Sequence, residues 1–169
     1  MPFSRKLTLG ILLLLCLTLS IGGAWTIDQN LQAALLRSQT QNTAFHQRER
    51  SALEQALRAD GAHSTVTAAR TIRSYAGLQS SVGAQSFCFS VMDEQGTTLY
   101  SSLPRAVRYE TLRQAIEGGA QSVTFCYPGT SRYMVLASPL QGTMDGLWLV
   151  SVYDITSVYA ERDRELRQY

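Results

Sequence analysis

Residues Leu7 to Thr26 read LTLGILLLLCLTLSIGGAWT and carry no charge. As a helix this run is about 30 Å long, the thickness of a bilayer's hydrocarbon core. Arg5 and Lys6 precede it, and the first acidic residue is Asp28. The positive-inside bias then keeps residues 1–6 in the cytoplasm and sends the chain from Ile27 onward across the membrane. Trp25 falls where an interfacial aromatic belongs. The alternative is a cleaved signal peptide, with Gly22-Gly23-Ala24 as small residues at a cleavage site. The residues beyond the apolar run favour the anchor. Ile27, Leu31 and Leu35 recur every four residues, so a helix can continue out of the membrane unbroken. Both readings place Asp28 onward outside the cytoplasm.

The chain has 169 residues, and about 140 remain beyond the apolar run, enough for one domain. The net charge of +2 and the single lysine, Lys6, provide no basic stripe. No partner nucleic acid is therefore expected. Of the three cysteines, Cys16 lies in the apolar run, leaving Cys88 and Cys126. Two cysteines make no disulfide scaffold and show no metal-ligand spacing.

Residues 27–59 contain no Pro or Gly and read as one long helix carrying Phe45, Ala52, Leu53, Ala56 and Leu57. Arg37 to Thr43 is polar all round, as on a helix that is exposed or paired with a partner. Asp60-Gly61 stops the helix. Ser64 is placed to cap a second helix through Val66, Ala69, Ile72, Arg73 and Tyr75-Ala76, ending in a loose stretch from Gly77 to Gln85. The texture then becomes strand-like. Ser86 to Met92 and Thr97 to Ser101 flank the turn Asp93-Glu94-Gln95-Gly96. Tyr109 to Glu117 reads as a short helix closed by Gly118-Gly119. Three strands come next, Ser122 to Tyr127, Ser131 to Ser138 and Leu147 to Tyr153. A charged helix runs from Thr156 to Tyr169. The expected fold class is α+β, a five-stranded antiparallel sheet with flanking helices.

Three stretches carry a resemblance to a known family. SVMDEQGTTLYSS (residues 90–102) is similar to the first hairpin of extracytoplasmic PAS-like sensor domains of the Cache, or PDC, type. YETLRQAIEGG (109–119) is similar to their mid-domain helix. VSVYDITSVYAERDRELRQY (150–169) resembles the end of such a sensor feeding an output helix. Asp154-Ile155-Thr156 matches the D-I-T triplet that closes many PAS domains. The resemblance implies a sensor domain over residues 27–155 and an exit helix over 156–169. It further implies a second membrane span, a phospho-accepting His box and an ATP-binding domain after residue 169, so the chain reads as a fragment or truncated product of a sensor histidine kinase. Homodimerisation through the membrane-proximal helices and an unidentified small-molecule or protein ligand belong to the same expectation. A secreted or anchored binding protein, and the sensor of a chemoreceptor or diguanylate cyclase, are the alternatives.

The resemblance also implies a ligand pocket beside the last three strands, for which Arg132, Tyr133, Tyr127 and Tyr153 are the candidates. An arginine there could hold a carboxylate in a bidentate pair. The competing reading is an exposed hairpin arginine and cross-strand tyrosine packing. Independently of any family, Asp154 can cap the helix after the last strand and tie sheet to helix. An ordinary cap without a signalling role has the same appearance. In a PAS-like sheet the strands bearing Cys88 and Cys126 are separated by two others, which favours two free, half-buried thiols over a disulfide. His46 and His63 have no metal-ligand or nucleophile partners at local spacing and are expected to be solvated. No cofactor, no metal site and no catalytic constellation are expected, so this chain is not read as an enzyme.

Overall fold

The structure, a computed structural model, describes residues 3–81, 88–119, 123–142 and 145–168. It divides into two compact units, Met1–Ser38 with Ser157–Tyr169, and Gln39–Thr156. Helix α1 (Phe3–Ala59) contributes to both.

In the first unit, α1 is long and apolar enough to cross a membrane by length and composition, with an 18-residue window of mean hydropathy 2.0. Its leucines from Leu9 to Leu19 are exposed on this chain rather than packed in its core. Gly22 and Gly23 do not interrupt it. Farther along, Gly23, Ile27 and Leu31 recur at four-residue spacing and are buried. Helix α4 (Thr156–Gln168) runs beside this stripe, with Val158, Arg162 and Glu165 sharing a groove with Ile27, Leu31 and Ala34.

The second unit is α+β. After α1 come α2 (Thr65–Ser81), β1 (Cys88–Asp93), β2 (Thr98–Ser101), α3 (Tyr109–Glu117), β3 (Val123–Cys126), β4 (Tyr133–Pro139) and β5 (Leu147–Asp154). The five strands form one antiparallel sheet in the order β2-β1-β5-β4-β3. The last strand therefore lies at the centre, paired with β1 from Cys88↔Val152 to Asp93↔Leu147 and with β4 from Tyr133↔Asp154 to Pro139↔Trp148.

Strand alternation divides the core between two faces. Phe89, Val91, Leu147 and Leu149 pack with Leu53 and Leu57 of α1 and Ala68, Ile72 and Ala76 of α2. Met92, Val135, Ala137, Val150 and Val152 pack on the other face with Leu112 and Ala115 of α3. Central strands buried on both faces explain why β1 and β5 read as nearly continuous apolar runs.

Local signals shape the ends of the elements. Gly61 has φ +56 where α1 stops. Ser64 and Thr67 cap α2 reciprocally: the Ser64 hydroxyl accepts from the Thr67 amide at 3.3 Å, and Thr67 Oγ1 from the Ser64 amide at 3.2 Å. At the β1–β2 turn, the Gly96 amide donates to the Asp93 carbonyl at 3.0 Å and Asp93 Oδ1 accepts from Thr97 at 2.6 Å. Gly96 has φ +86, a left-handed conformation that strains any residue with a Cβ, and a Cβ there would also displace the exposed Tyr109 hydroxyl.

Several expected boundaries are corrected: Thr97, Tyr127, Ser131 and Arg132 fall outside the strands, and Asp93 falls inside β1. α2 does not loosen at Gly77 but continues to Ser81. Gly77 is exposed, so its cost is limited to about 1 kcal/mol of helix propensity. Buried Ala76 and the bonded Gln79 hold the helix on either side of it. The expected strand positions Ser86, Phe87 and Ser122, and the helix end at Tyr169, lie outside the described residues.

Candidate functional site

The junction after β5 is built from three residues. Asp154 Oδ1 accepts the Thr156 amide hydrogen at 2.8 Å, capping the first turn of α4. Ile155 is 2 % exposed and its amide donates to the Arg132 carbonyl at 2.9 Å. The Arg132 amide in turn donates to Thr156 Oγ1 at 2.9 Å. The D-I-T triplet is thus hydrogen-bonded to the segment leading into β4 as well as to its own helix. Replacing Asp154 by Ala is expected to cost about 1 kcal/mol of local stability. Hydrogen exchange at Thr156 and Ser157 should accelerate, with Asp154→Asn retaining most of the protection; unchanged exchange in Asp154→Ala would remove the capping role.

The four proposed ligand contacts do not form one cluster. Arg132 lies over the Tyr127 ring at 4.9 Å, and Tyr127 is 52 % exposed. Tyr133 packs on the α3 face of the sheet. Tyr153, one register step away from Asp154, points to the opposite face and meets Phe45 of α1 edge-on at 6.4 Å. Alternation of side chains along β4 and β5 is the physical reason for the split. Burial raises the Tyr153 phenol's pKa, with nearby Glu49 adding to the effect.

The histidine expectation is half right. His63 is exposed, but His46 is 3 % exposed and buried between α1 and the sheet. Its Nδ1 is 2.7 Å from Ser151 Oγ on β5 and its Nε2 3.0 Å from Ser138 Oγ on β4. Both serines are buried. A neutral imidazole donates through one nitrogen and accepts through the other, and the two hydroxyls can complement either tautomer. Burial first, and then the Arg50 charge, lower the imidazole to about 4. One signal could have located this residue: His46 precedes Leu53 by seven positions, on the stripe that α1 turns to the core.

Two further polar groups line the same stripe. Glu49 is buried and its Oε2 accepts from Tyr75 at 2.5 Å and from Gln79 at 3.0 Å. Burial, together with that bond to Glu49, raises Tyr75 to about 12. Glu54 accepts from the Gln141 amide at 2.9 Å and faces Arg50 at 3.3 Å. α1 is therefore held on the rest of the unit by directional polar contacts at His46, Glu49 and Glu54 as well as by Leu53 and Leu57.

Cys88 and Cys126 are free and half-buried, on strands separated by β5 and β4. Burial raises both thiols above the ordinary value. Maleimide is expected to label both in the folded protein without reductant, at a rate that climbs with pH as thiolate forms. Protection of both until reductant is added would indicate a bond between them. Among the described residues, no group of three or more His, Cys, Asp or Glu is placed to hold a metal ion.

Comparison with family models, with curated proteins and with solved structures finds no match to this chain.

Proposed function

We propose that this chain is the membrane-anchored, extracytoplasmic sensing region of a signal-transduction receptor, with a sensor histidine kinase as its output. On this reading the chain performs no catalysis itself. α1 spans the membrane with its N-terminus inside. The sheet unit receives the stimulus outside, and α4 carries the response back toward the membrane. A second copy pairs through the membrane-proximal part of residues 27–59.

The observation that carries this reading is the junction at Asp154-Ile155-Thr156. The central strand of the sheet passes into a charged helix through one buried residue, and that passage is hydrogen-bonded on both sides. A displacement of β5 would then be felt at Thr156, the first residue of α4. The sheet order adds support, because β1 and β3 are separated by two strands, as the resemblance to PAS-like sensors implies. The side-by-side placement of α4 and the buried stripe of α1 adds more, since it suits a pair of helices entering one membrane.

The test joins residues 1–169 through α4, in unbroken helical phase, to the second membrane span and catalytic core of a sensor kinase of known output. Inserting one residue after Gln168 should change output, and inserting seven, close to two full turns, should restore it. Asp154→Ala should also shift output. Output indifferent to helix phase and to Asp154→Ala would overturn the proposal.

A further inference from the structure

We infer that His46, Ser138 and Ser151 form a proton-operated latch between α1 and the sheet, and that extracytoplasmic acid is a stimulus this domain reads. The second half of this statement rests on the sensing role proposed above; the latch itself does not.

Ser138 and Ser151 sit diagonally on neighbouring strands, since Ser138 pairs with Leu149 while Ser151 pairs with Leu136. Diagonal positions on one face of an antiparallel pair are about 7–8 Å apart, a gap that an imidazole can bridge. His46 does so, coming from a helix 105 residues away from Ser151 in sequence. The ring is thus a buried polar link that joins α1 to β4 and β5 at once.

That link suits only the uncharged ring. An imidazolium donates from both nitrogens, so both serines must accept and each hydroxyl hydrogen must find another acceptor. The charged and titratable groups around the cluster offer no counter-charge in contact with the ring. α1 brings Arg50, of like charge, and Glu49, whose Oε2 is taken by Tyr75 and Gln79. α2 brings Tyr75, and β5 brings Tyr153, both with raised pKa values and uncharged at acid pH. β4 contributes Ser138 and no titratable side chain on this face. A proton on His46 is therefore best accommodated by moving the ring to water, which lifts Gln39 to Ser51 of α1 from the sheet and gives up the bonds of Glu49 to Tyr75 and Gln79. Leu53 and Leu57, two turns later, stay seated in the core. The helix that opens is the one leading to the apolar segment.

The released ring titrates near 6.5 and the latched ring near 4. The released population should therefore grow about tenfold per pH unit as pH falls between those values. The experiment is hydrogen exchange on the full chain in lipid nanodiscs from pH 7 to pH 4, with intrinsic exchange rates corrected for pH. Protection of Gln39 to Ser51 should fall through this range while β1 and β5 stay protected. His46→Gln, which keeps a donor and an acceptor but cannot titrate here, should hold protection constant. Arg50→Gln, at a partly exposed position, should weaken acid release, because removing the like charge raises the latched ring toward the released one and narrows the gap that drives opening. Equal loss of protection in wild type and His46→Gln, or no loss in wild type, overturns the latch; so does an acid-driven loss in Arg50→Gln as large as in wild type, should His46→Gln not fold. The kinase chimera separates the two claims. Acid-dependent output in wild type but not in His46→Gln supports the stimulus. Acid release of α1 with output that tracks helix phase but ignores pH overturns the stimulus alone. Acid release with output that ignores helix phase as well overturns the sensing role and leaves the latch standing.

Discussion

Leu53→Ala is expected to destabilise the sheet unit by about 2–5 kcal/mol. Leu53 is 0 % exposed and sits where α1, α2 and the sheet meet, packed among Ile72, Phe89 and their neighbours. Removing three carbons there forfeits transfer free energy and leaves a cavity. The structure around it is poorly able to close that cavity, because β1 is itself pinned by β2 and β5 on its two edges. Urea denaturation should show the midpoint falling with little change in slope. Val66→Ala on α2 is the control. Val66 is 70 % exposed, so its truncation removes no core contact and should be neutral, or slightly stabilising through the better helix propensity of alanine. A Leu53→Ala loss below 1 kcal/mol would mean that α1 is not seated on the sheet as described.

Acid is expected to remove about 3 kcal/mol of stability from the same unit through His46 alone. The sign is set by where the proton binds. The folded state holds the imidazole near 4, below its ordinary 6.5, mainly by burial. Above 6.5 neither state is protonated and the contribution of the neutral ring is complete. Between 6.5 and 4 the unfolded chain takes up a proton that the latched folded form refuses, so the stability of that form falls as pH falls. Below 4 both states carry the proton and the loss levels off. The burial of His46, at 3 % exposed, makes the full difference available rather than screened by solvent. Denaturation curves from pH 7 to pH 4 should therefore slope downward in wild type. The difference between wild type and His46→Gln isolates this one site from the carboxylates that also titrate at the acid end. A difference that does not change with pH would place His46 in water.

Elements with a strong local signal were legible from the residues. The apolar run and its continuation to Ala59 need only composition and a four-residue period. The Ser64 cap, the Gly61 stop and the Asp93–Gly96 turn each depend on the conformational preferences of one or two residues. Tyr109–Glu117 was likewise bounded by its own periodicity and the glycines behind it. α2 overran its expected end because a glycine on an exposed helix face is a modest penalty, and buried Ala76 with bonded Gln79 outweighs it.

The candidate site was less legible. Asp154-Ile155-Thr156 could be read because a cap acts over two residues. Arg132, Tyr133, Tyr127 and Tyr153 could be placed on or beside the last three strands, but Tyr127 and Arg132 fall outside β3 and β4, and which face each strand side chain takes depends on register and neighbours. The sheet sends Tyr133 and Tyr153 to opposite sides. His46 was misread for a related reason. Its partners are 92 and 105 residues away, and no spacing within FHQRER points to them.

By itself, then, the sequence determined where helices, strands and turns form and which segment is apolar enough for a membrane, because those depend on contacts within a few residues. Only the tertiary structure decided that β5 enters the centre of the sheet, that the four candidate ligand residues are divided, and that a histidine on a polar-looking helix is buried against two serines. Those outcomes depend on which distant surfaces meet, and a hydroxyl or an imidazole carries the same local signature whether it finds water or a partner.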